Sequence, residues 1–426
     1  MPELDVARAV ANARADNPRL AAICTPRYDE ALREAPRPGP LSGVPYTLKD
    51  VWDVEGLPTT RGHAPWAERV PASSGAVHRA FEAAGAILIG KTNLGDLGIT
   101  PESQSYVGGV TRNPLDPSRT AGGSSGGAAA AVAAGMSAFD WGSDYGGSIR
   151  LPAAWCGLVG LRLSRSTWPS PPEGWLPPLP HIAWLSAMGP ITRDLETCRR
   201  VLDAVPSLRV AEPPQPRFAG VLVVAPDAFS AGEWPGFARE IRAALDRAGL
   251  PSWPAPLPRP AQMDRVFVAL IASHAVDLLR GRGPRVGPVL SALTIGRLLG
   301  DRRMHPQAAR VTLELAALRL LRHRDRAGAM RDALSLRARF EALWAAGFIL
   351  VSPTSGYPAP PHGRALGLRG MASFAKMGNV SDATALTVPF GHFPGGLPRG
   401  LQWLGPPGSE RRLIELASRV VRAPVA

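Results

Sequence analysis

Residues 121–135 read AGGSSGGAAAAVAAG, and residues 142–150 read GSDYGGSIR. Two serines, Ser124 and Ser148, are thus each set among glycines. A serine hydroxyl is a poor nucleophile until a neighbour removes its proton. The third reactive type is scarce. Of 48 basic residues only three are lysine, Lys49, Lys91 and Lys376. An amine can lose its proton and a guanidinium effectively cannot, so a lysine kept in an arginine-writing chain is a candidate base. Glycine-braced serines can also cradle a phosphate or form a plain linker, and the surrounding elements must decide among these.

The pattern around Lys49, GVPYTLKD, alternates apolar Val44, Tyr46 and Leu48 with the opposite face and predicts a short strand ending near Lys49. ELDVARAVANARA predicts a helix, and SSGAVHRAFEAAGAILIG a serine-capped helix, a glycine stop at Gly85 and a buried strand. The alanine run after Gly127 is apolar all round, the mark of a buried helix, and MSAFDWG reads as extended. A helix over 125–135 would climb about 16 Å at 1.5 Å per residue. An extended return over 136–142 would descend about 20 Å. The chain would then come back level with Ser124, where Ser148 waits. Lys49, at a strand end, occupies the position where open α/β sheets place ligands.

Two motifs mimic other chemistries. GAILIGKT (Gly85–Thr92) satisfies GxxxxGK[ST], but its interior Ala-Ile-Leu-Ile reads as a buried strand preceded by a helix. A phosphate loop needs the reverse order. Lys91 is therefore expected to be structural. Gly122–Gly126 fits the GxSxG nucleophile elbow. That elbow needs an apolar strand leading in, and the turn-rich TRNPLDPSRTA precedes it; eight histidines leave a histidine partner open.

Bulk properties bound the remainder. With 45% hydrophobic and 19% charged residues the chain is a folded globular protein. Cys24, Cys156 and Cys198 are scattered, which predicts neither a disulfide framework nor a metal site and suggests a reducing compartment. Acids early in MPELDVARAV and the lack of long apolar runs predict no signal peptide and no membrane span. A cytoplasmic location is expected. The net charge of +13 is spread along the sequence, so a solvated basic surface is expected, not direct nucleic-acid binding. The loop 166–181 carries Trp168 and Trp175; residues 212–216 and 251–260 are proline-rich around the strand-like GVLVVAP; 306–345 is helical and arginine-rich.

Taken jointly, GGSSGGAAAAVAAGM and GSDYGGSIRLPAAWCGLVGL resemble the amidase signature family. So do PLSGVPYTLKDVWDVEGLPTTRG, GAILIGKTN, NPLDPSRTAGGSSGG, GPITRDLETCRRVLDA and GLPRGLQWLGPPGSERRLIELA, in family order. The resemblance covers about 40–205 and 345–420. It implies an α/β amidase signature fold, a central mixed twisted β-sheet covered by helices on both faces. One domain over 1–426 is expected, with 206–344 a variable, largely helical insertion within it.

The resemblance further implies a Ser–Ser–Lys triad. Ser148 would be the nucleophile, Ser124 a relay following a cis peptide bond, and Lys49 the general base, neutral through burial. Backbone N–H groups of Tyr145, Gly146, Gly147 and Ser148 would form an oxyanion hole, with Ser125, Asp144 and Arg150 as supports. The implied activity is amide hydrolysis through an acyl-enzyme on a small-molecule amide, with no metal or organic cofactor; a homodimer is left open. Two alternatives stand beside it, the glutamine-hydrolysing component of a tRNA-dependent amidotransferase complex and a silent assembly protein of the same fold. Position and composition suggest Trp168, Trp175 and Trp184, with the loops around 352–362 and 373–381, as the substrate pocket. Tyr145 departs from the smaller or aliphatic residue common in the family, Ala128 replaces a frequent serine or glutamate, and the region before Lys49 is short. Individually the residues admit plainer roles: helix caps for Ser124, Ser125 and Ser148, a solvated strand-end lysine for Lys49.

Overall fold

GVPYTLKD does form a strand, β2 (Pro45–Lys49), but all five of its residues are buried, not one face alone. The reason is its place in the sheet. It runs parallel to β3 (Ile87–Thr92) on one side and to β4 (Phe139–Asp144) on the other. A strand inside a sheet covered on both faces has no solvent side.

The fold is taken from a computed structural model, which describes residues 4–169, 180–225, 227, 230–277, 289, 291, 293, 299–322, 326–368 and 370–422. Its central sheet has 11 strands. The others are β1 (Ile23–Pro26), β5 (Val159–Arg162), β6 (Ala187–Thr192), β7 (Gly220–Val223), β8 (Ser252–Pro254), β9 (Phe348–Pro353), β10 (Thr384–His392) and β11 (Pro398–Gly405). They lie in the order β1-β3-β2-β4-β6-β5-β10-β11-β9-β7-β8. Pairing is parallel within β3-β2-β4 and β9-β7-β8 and antiparallel elsewhere, so the sheet is mixed.

Both faces are covered. In β3, Ile87 and Ile89 pack into one core while Leu88 between them packs into another. Successive strand side chains point to opposite faces, so these are the two layers flanking the sheet. The first holds α1 (Val6–Leu20) and the alanine-rich α3 (Gly126–Ala133), which is buried from Gly126 to Val132. A side chain on Gly127 would lie 2.3 Å from the Asn93 carbonyl oxygen, so α3 sits where bulk cannot enter. The second core takes Val77 and Phe81 of α2 (Ala76–Ala83). α2 is not serine-capped as its sequence suggests. Gly75 stands at the cap, and Ser74 Oγ instead accepts the Glu55 N–H at 3.0 Å.

The described residues of 206–344 supply helices and also extend the sheet, through β7 and β8; the strand expected from GVLVVAP is β7. Its long helices are α5 (Pro260–Asp277), α6 (Pro306–Arg322) and α7 (Arg326–Ala345). On α7, Ala333, Leu336 and Phe340 are buried while Arg331 and Arg339 face outward, the solvated basic surface expected. No helix among the described residues is long and apolar enough to cross a membrane.

The phosphate-loop mimic resolves as β3 itself. Lys91 Nζ is fully buried, 2.6 Å from Asp50 Oδ1, and donates to the Pro58 carbonyl at 2.9 Å and Thr59 Oγ1 at 2.6 Å. Removing one member of a buried pair leaves the other charge uncompensated, at a cost of about 3–5 kcal/mol. Lys91→Met is therefore expected to destabilise the fold by that order, measured by urea unfolding. A loss below about 1 kcal/mol, the range of an exposed pair, would contradict this structural role.

Candidate active site

Lys49 at the end of β2, Ser124 before α3 and Ser143 on β4 meet in the interior. Lys49 is fully buried, and its Nζ donates to Ser124 Oγ at 2.8 Å, Ser143 Oγ at 3.0 Å and the Ser143 carbonyl at 3.3 Å. No ion pair to Lys49 exists among the described residues. Burial lowers its pKa to about 7, although Asp140 and Asp144 pull it upward. An amine there is part neutral at physiological pH. A neutral amine keeps two N–H donors and one lone pair. With both donors spent on Ser143, the lone pair is left for the Ser124 hydroxyl.

Ser143 was not singled out by the sequence, although it stands inside the GSD of the second motif. It became visible only when β4 was laid beside β2. Asp140, also on β4, was missed as well. It pairs in register with Thr47 and accepts the Thr92 hydroxyl at 2.9 Å. Burial pushes its pKa up to about 6, against hydrogen bonding and the pull of Lys49.

The loop bearing Ser124 is tightly held. The Gly123–Ser124 peptide bond is cis, as the resemblance implies. A Cβ on Gly123 would lie 2.4 Å from the Glu102 nitrogen, so only glycine fits. Ser103 Oγ donates to the Ser124 carbonyl at 3.0 Å and accepts the Gly126 N–H at 2.7 Å. That second bond is a capping bond for α3, and it comes from Ser103 across the fold. Ser125 occupies the cap position without capping. Its N–H donates to the Ser148 carbonyl at 3.2 Å and its Oγ to the Ser143 carbonyl at 3.4 Å. These bonds place the two glycine-braced motifs side by side.

The second motif is organised by Asp144. Its Oδ1 accepts the Gly147 N–H at 2.9 Å and its Oδ2 the Ile149 N–H at 3.1 Å. Arg150 clamps it from both sides, Nη2 at 2.8 Å and Nε at 3.0 Å. Burial would raise the Asp144 pKa, but Arg150, Arg162 and Asn379 hold it well below the usual carboxylate range. Arg150 also donates to Gln402 Oε1 at 2.7 Å and Asn379 Oδ1 at 2.8 Å. Asn379 lies on α8 (Ser373–Ser381) and Gln402 on β11, more than 200 residues from the motif, so no sequence spacing could have found them.

This arrangement corrects one expectation. The Gly147 N–H, expected in the oxyanion hole, is committed to Asp144. The N–H groups of Gly146 and Ser148 have no hydrogen-bond acceptor among the described residues. Gly147 has φ +109°, and a Cβ there would meet that of Ala375 at 2.8 Å, so glycine is required for shape. Ser148 does not cap α4 (Arg150–Trp155), whose cap position is Ile149. Its side chain is partly exposed and makes no hydrogen bond among the described residues. The nucleophile-elbow alternative finds no support among the described residues, where the Ser124 side chain meets a lysine and no histidine.

The expected pocket residues are dispersed. Trp168 is buried beneath Arg209, 5.9 Å from its ring, and lines a cleft of about 380 Å³ with Leu202 and Glu410 instead of any of the lysine–serine groups. Trp184 packs on α8, donating to the Val380 carbonyl at 3.3 Å. Trp175 lies outside the described residues. Of the two loops expected, 373–381 is α8, which reaches the second motif through Ala375 and Asn379. Among the described residues no group of three His, Cys, Asp or Glu is placed to hold a metal ion.

The electrostatics give a signed expectation. Only the neutral amine can accept a proton, so labelling of the site by a serine-directed fluorophosphonate is expected to rise with pH and level off above about 7. The Asp140 charge favours the ammonium, so Asp140→Asn should move the midpoint to lower pH. Labelling rate against pH checks both, and an upward shift in that variant would contradict the coupling.

Known proteins resemble this chain in sequence and in fold. The protein-family model described as Amidase matches residues 6–227. The amidase-family protein AmiB2 of Mycobacterium tuberculosis is 34% identical over 414 residues, covering 90% of this chain and 82% of its own length. The A subunit of the glutamyl-tRNA(Gln) amidotransferase of Thermus thermophilus is 31% identical over 417 residues, covering 90% and 85%. The solved structure of 6-aminohexanoate cyclic dimer hydrolase superposes with a TM-score of 0.78 at 26% identity, covering 98% of this chain and 92% of that one. Sequence kinship and a shared fold thus converge: the chain belongs to the amidase signature family and is an amide hydrolase by that kinship.

Proposed function

We propose that the protein hydrolyses a carboxamide C–N bond through an acyl-enzyme on Ser148, with Ser124 as proton relay and neutral Lys49 as general base. One observation carries the reading: a fully buried lysine, with no carboxylate paired to it among the described residues, lies 2.8 Å from a serine hydroxyl. Such an amine is costly to bury and is useful chiefly as a base.

In the step proposed, Ser148 Oγ adds to the carbonyl carbon as its proton passes to Ser124 and the Ser124 proton passes to Lys49. The N–H groups of Gly146 and Ser148 receive the oxyanion. The C–N bond then breaks, and the proton returns along the same path to the departing nitrogen. Water, deprotonated through the same relay, adds to the Ser148 ester and releases the carboxylate. Ser125, Asp144 and Arg150 act through the backbone they hold and are positioning residues.

The reading is tested by covalent labelling and by turnover. A fluorophosphonate probe is expected to label the wild type, not to label Ser148→Ala, and to label Lys49→Ala and Ser124→Ala at least about a hundredfold more slowly. A folded protein that resists several such probes would support the silent assembly role. The Thermus relative keeps the amidotransferase reading in view. Glutaminase activity that appears only with an added partner protein would favour it over a self-sufficient amidase.

A further inference from the structure

The third lysine, Lys376, remains unused by the chemistry above, and it marks the wall of the site. Lys376 lies on α8, next to Ala375, which presses on Gly147. Its Nζ is 2.6 Å from Asp264 Oδ1 on α5 and 5.2 Å from the ring centre of Phe267, also on α5. Phe267 reaches the second glycine motif itself: a Cβ on Gly146 would lie 3.2 Å from its Cζ. The Tyr145 ring stands edge-on to Phe267, 6.3 Å away at 67°. Two aromatic rings therefore flank the backbone that carries the proposed oxyanion donors, one from the motif and one from the insertion.

Building on the acyl-enzyme reading, we propose that Tyr145 and Phe267 form the acyl-side wall of the site and select neutral carboxamides carrying an aromatic ring close to the carbonyl. Phe267 is buried and Tyr145 only partly so, which leaves the Tyr145 ring, backed by Phe267, to meet a third ring, and aromatic contacts favour such offset and edge arrangements. A smaller side chain at 145 would remove that ring surface. The lysine over the Phe267 ring is spent internally, since Lys376 is paired with Asp264 and both side chains are mostly buried. A zwitterionic acyl group such as that of glutamine gains no ionic anchor there, and burying its charges unpaired is costly.

The test compares kcat/KM for benzamide, phenylacetamide, propanamide and glutamine. In the wild type, the better aromatic amide is expected to exceed propanamide by at least about tenfold, with glutamine lowest. Phe267→Ala should shrink the aromatic-to-propanamide ratio about tenfold, and Phe267→Tyr, which keeps the ring, should restore it. Thermal melting of both variants reports whether they fold, and Tyr145→Thr provides an independent reduction of the same ratio. A wild-type preference for propanamide or glutamine would overturn this proposal while leaving amide hydrolysis intact. So would a ratio unmoved in folded Phe267→Ala and Tyr145→Thr. A wild type that neither labels with fluorophosphonate nor hydrolyses any amide would overturn the acyl-enzyme reading, and the aromatic wall with it.

Discussion

A buried amine with no carboxylate paired to it among the described residues is the constraint around which the structure is arranged. Lys49 and Lys91 sit on neighbouring strands and are both fully buried, yet their surroundings are opposite. Lys91, in register with Leu48, points to one face of the sheet and meets Asp50. Lys49, in register with Thr92, points to the other and, among the described residues, donates to two hydroxyls and a carbonyl. The first arrangement is a buried ion pair, and the second leaves an amine that burial inclines to give up its proton. Folded Lys49 gives up its proton near pH 7 and the unfolded chain only in the ordinary lysine range, so this residue opposes folding in full below about pH 7 and progressively less as pH rises between the two. The sheet and its two cores must supply that difference.

Supporting groups follow from this requirement. The motif holding Ser148 is not a regular element, and the proposed chemistry uses the N–H groups that this leaves without a partner among the described residues. Its shape is imposed instead by a buried ion pair, Asp144–Arg150, that reaches β11 and α8. Buried pairs add little stability relative to apolar packing. What this one supplies is position, since Asp144 takes the Gly147 and Ile149 N–H groups and so aims the backbone between them. Ser103 performs the matching service for the Ser124 loop.

The insertion adds specificity without touching the lysine. Helix α5 belongs to the stretch that bore no recognisable motif, yet its Phe267 lies against Gly146. The proposed base thus sits on the sheet, while on this proposal a helix of the insertion shapes what approaches it.

Local chemistry made much of this legible beforehand. Strand alternation located β2 and placed Lys49 at its end, the all-apolar alanine run announced a buried α3, and the failed loop grammar of GAILIGKT revealed a strand. These are properties of adjacent residues, and adjacent residues are what a sequence records. The tertiary structure alone decided the rest. It chose which lysine would find a carboxylate, gave the α3 cap to Ser103 instead of Ser125, took Gly147 out of the donor set, and brought Ser143, Asn379, Gln402 and Phe267 to the site. Each of those outcomes depends on distances between strands and helices far apart in the chain. Hydrogen bonds and burial act over a few ångströms of space, whatever the separation in sequence.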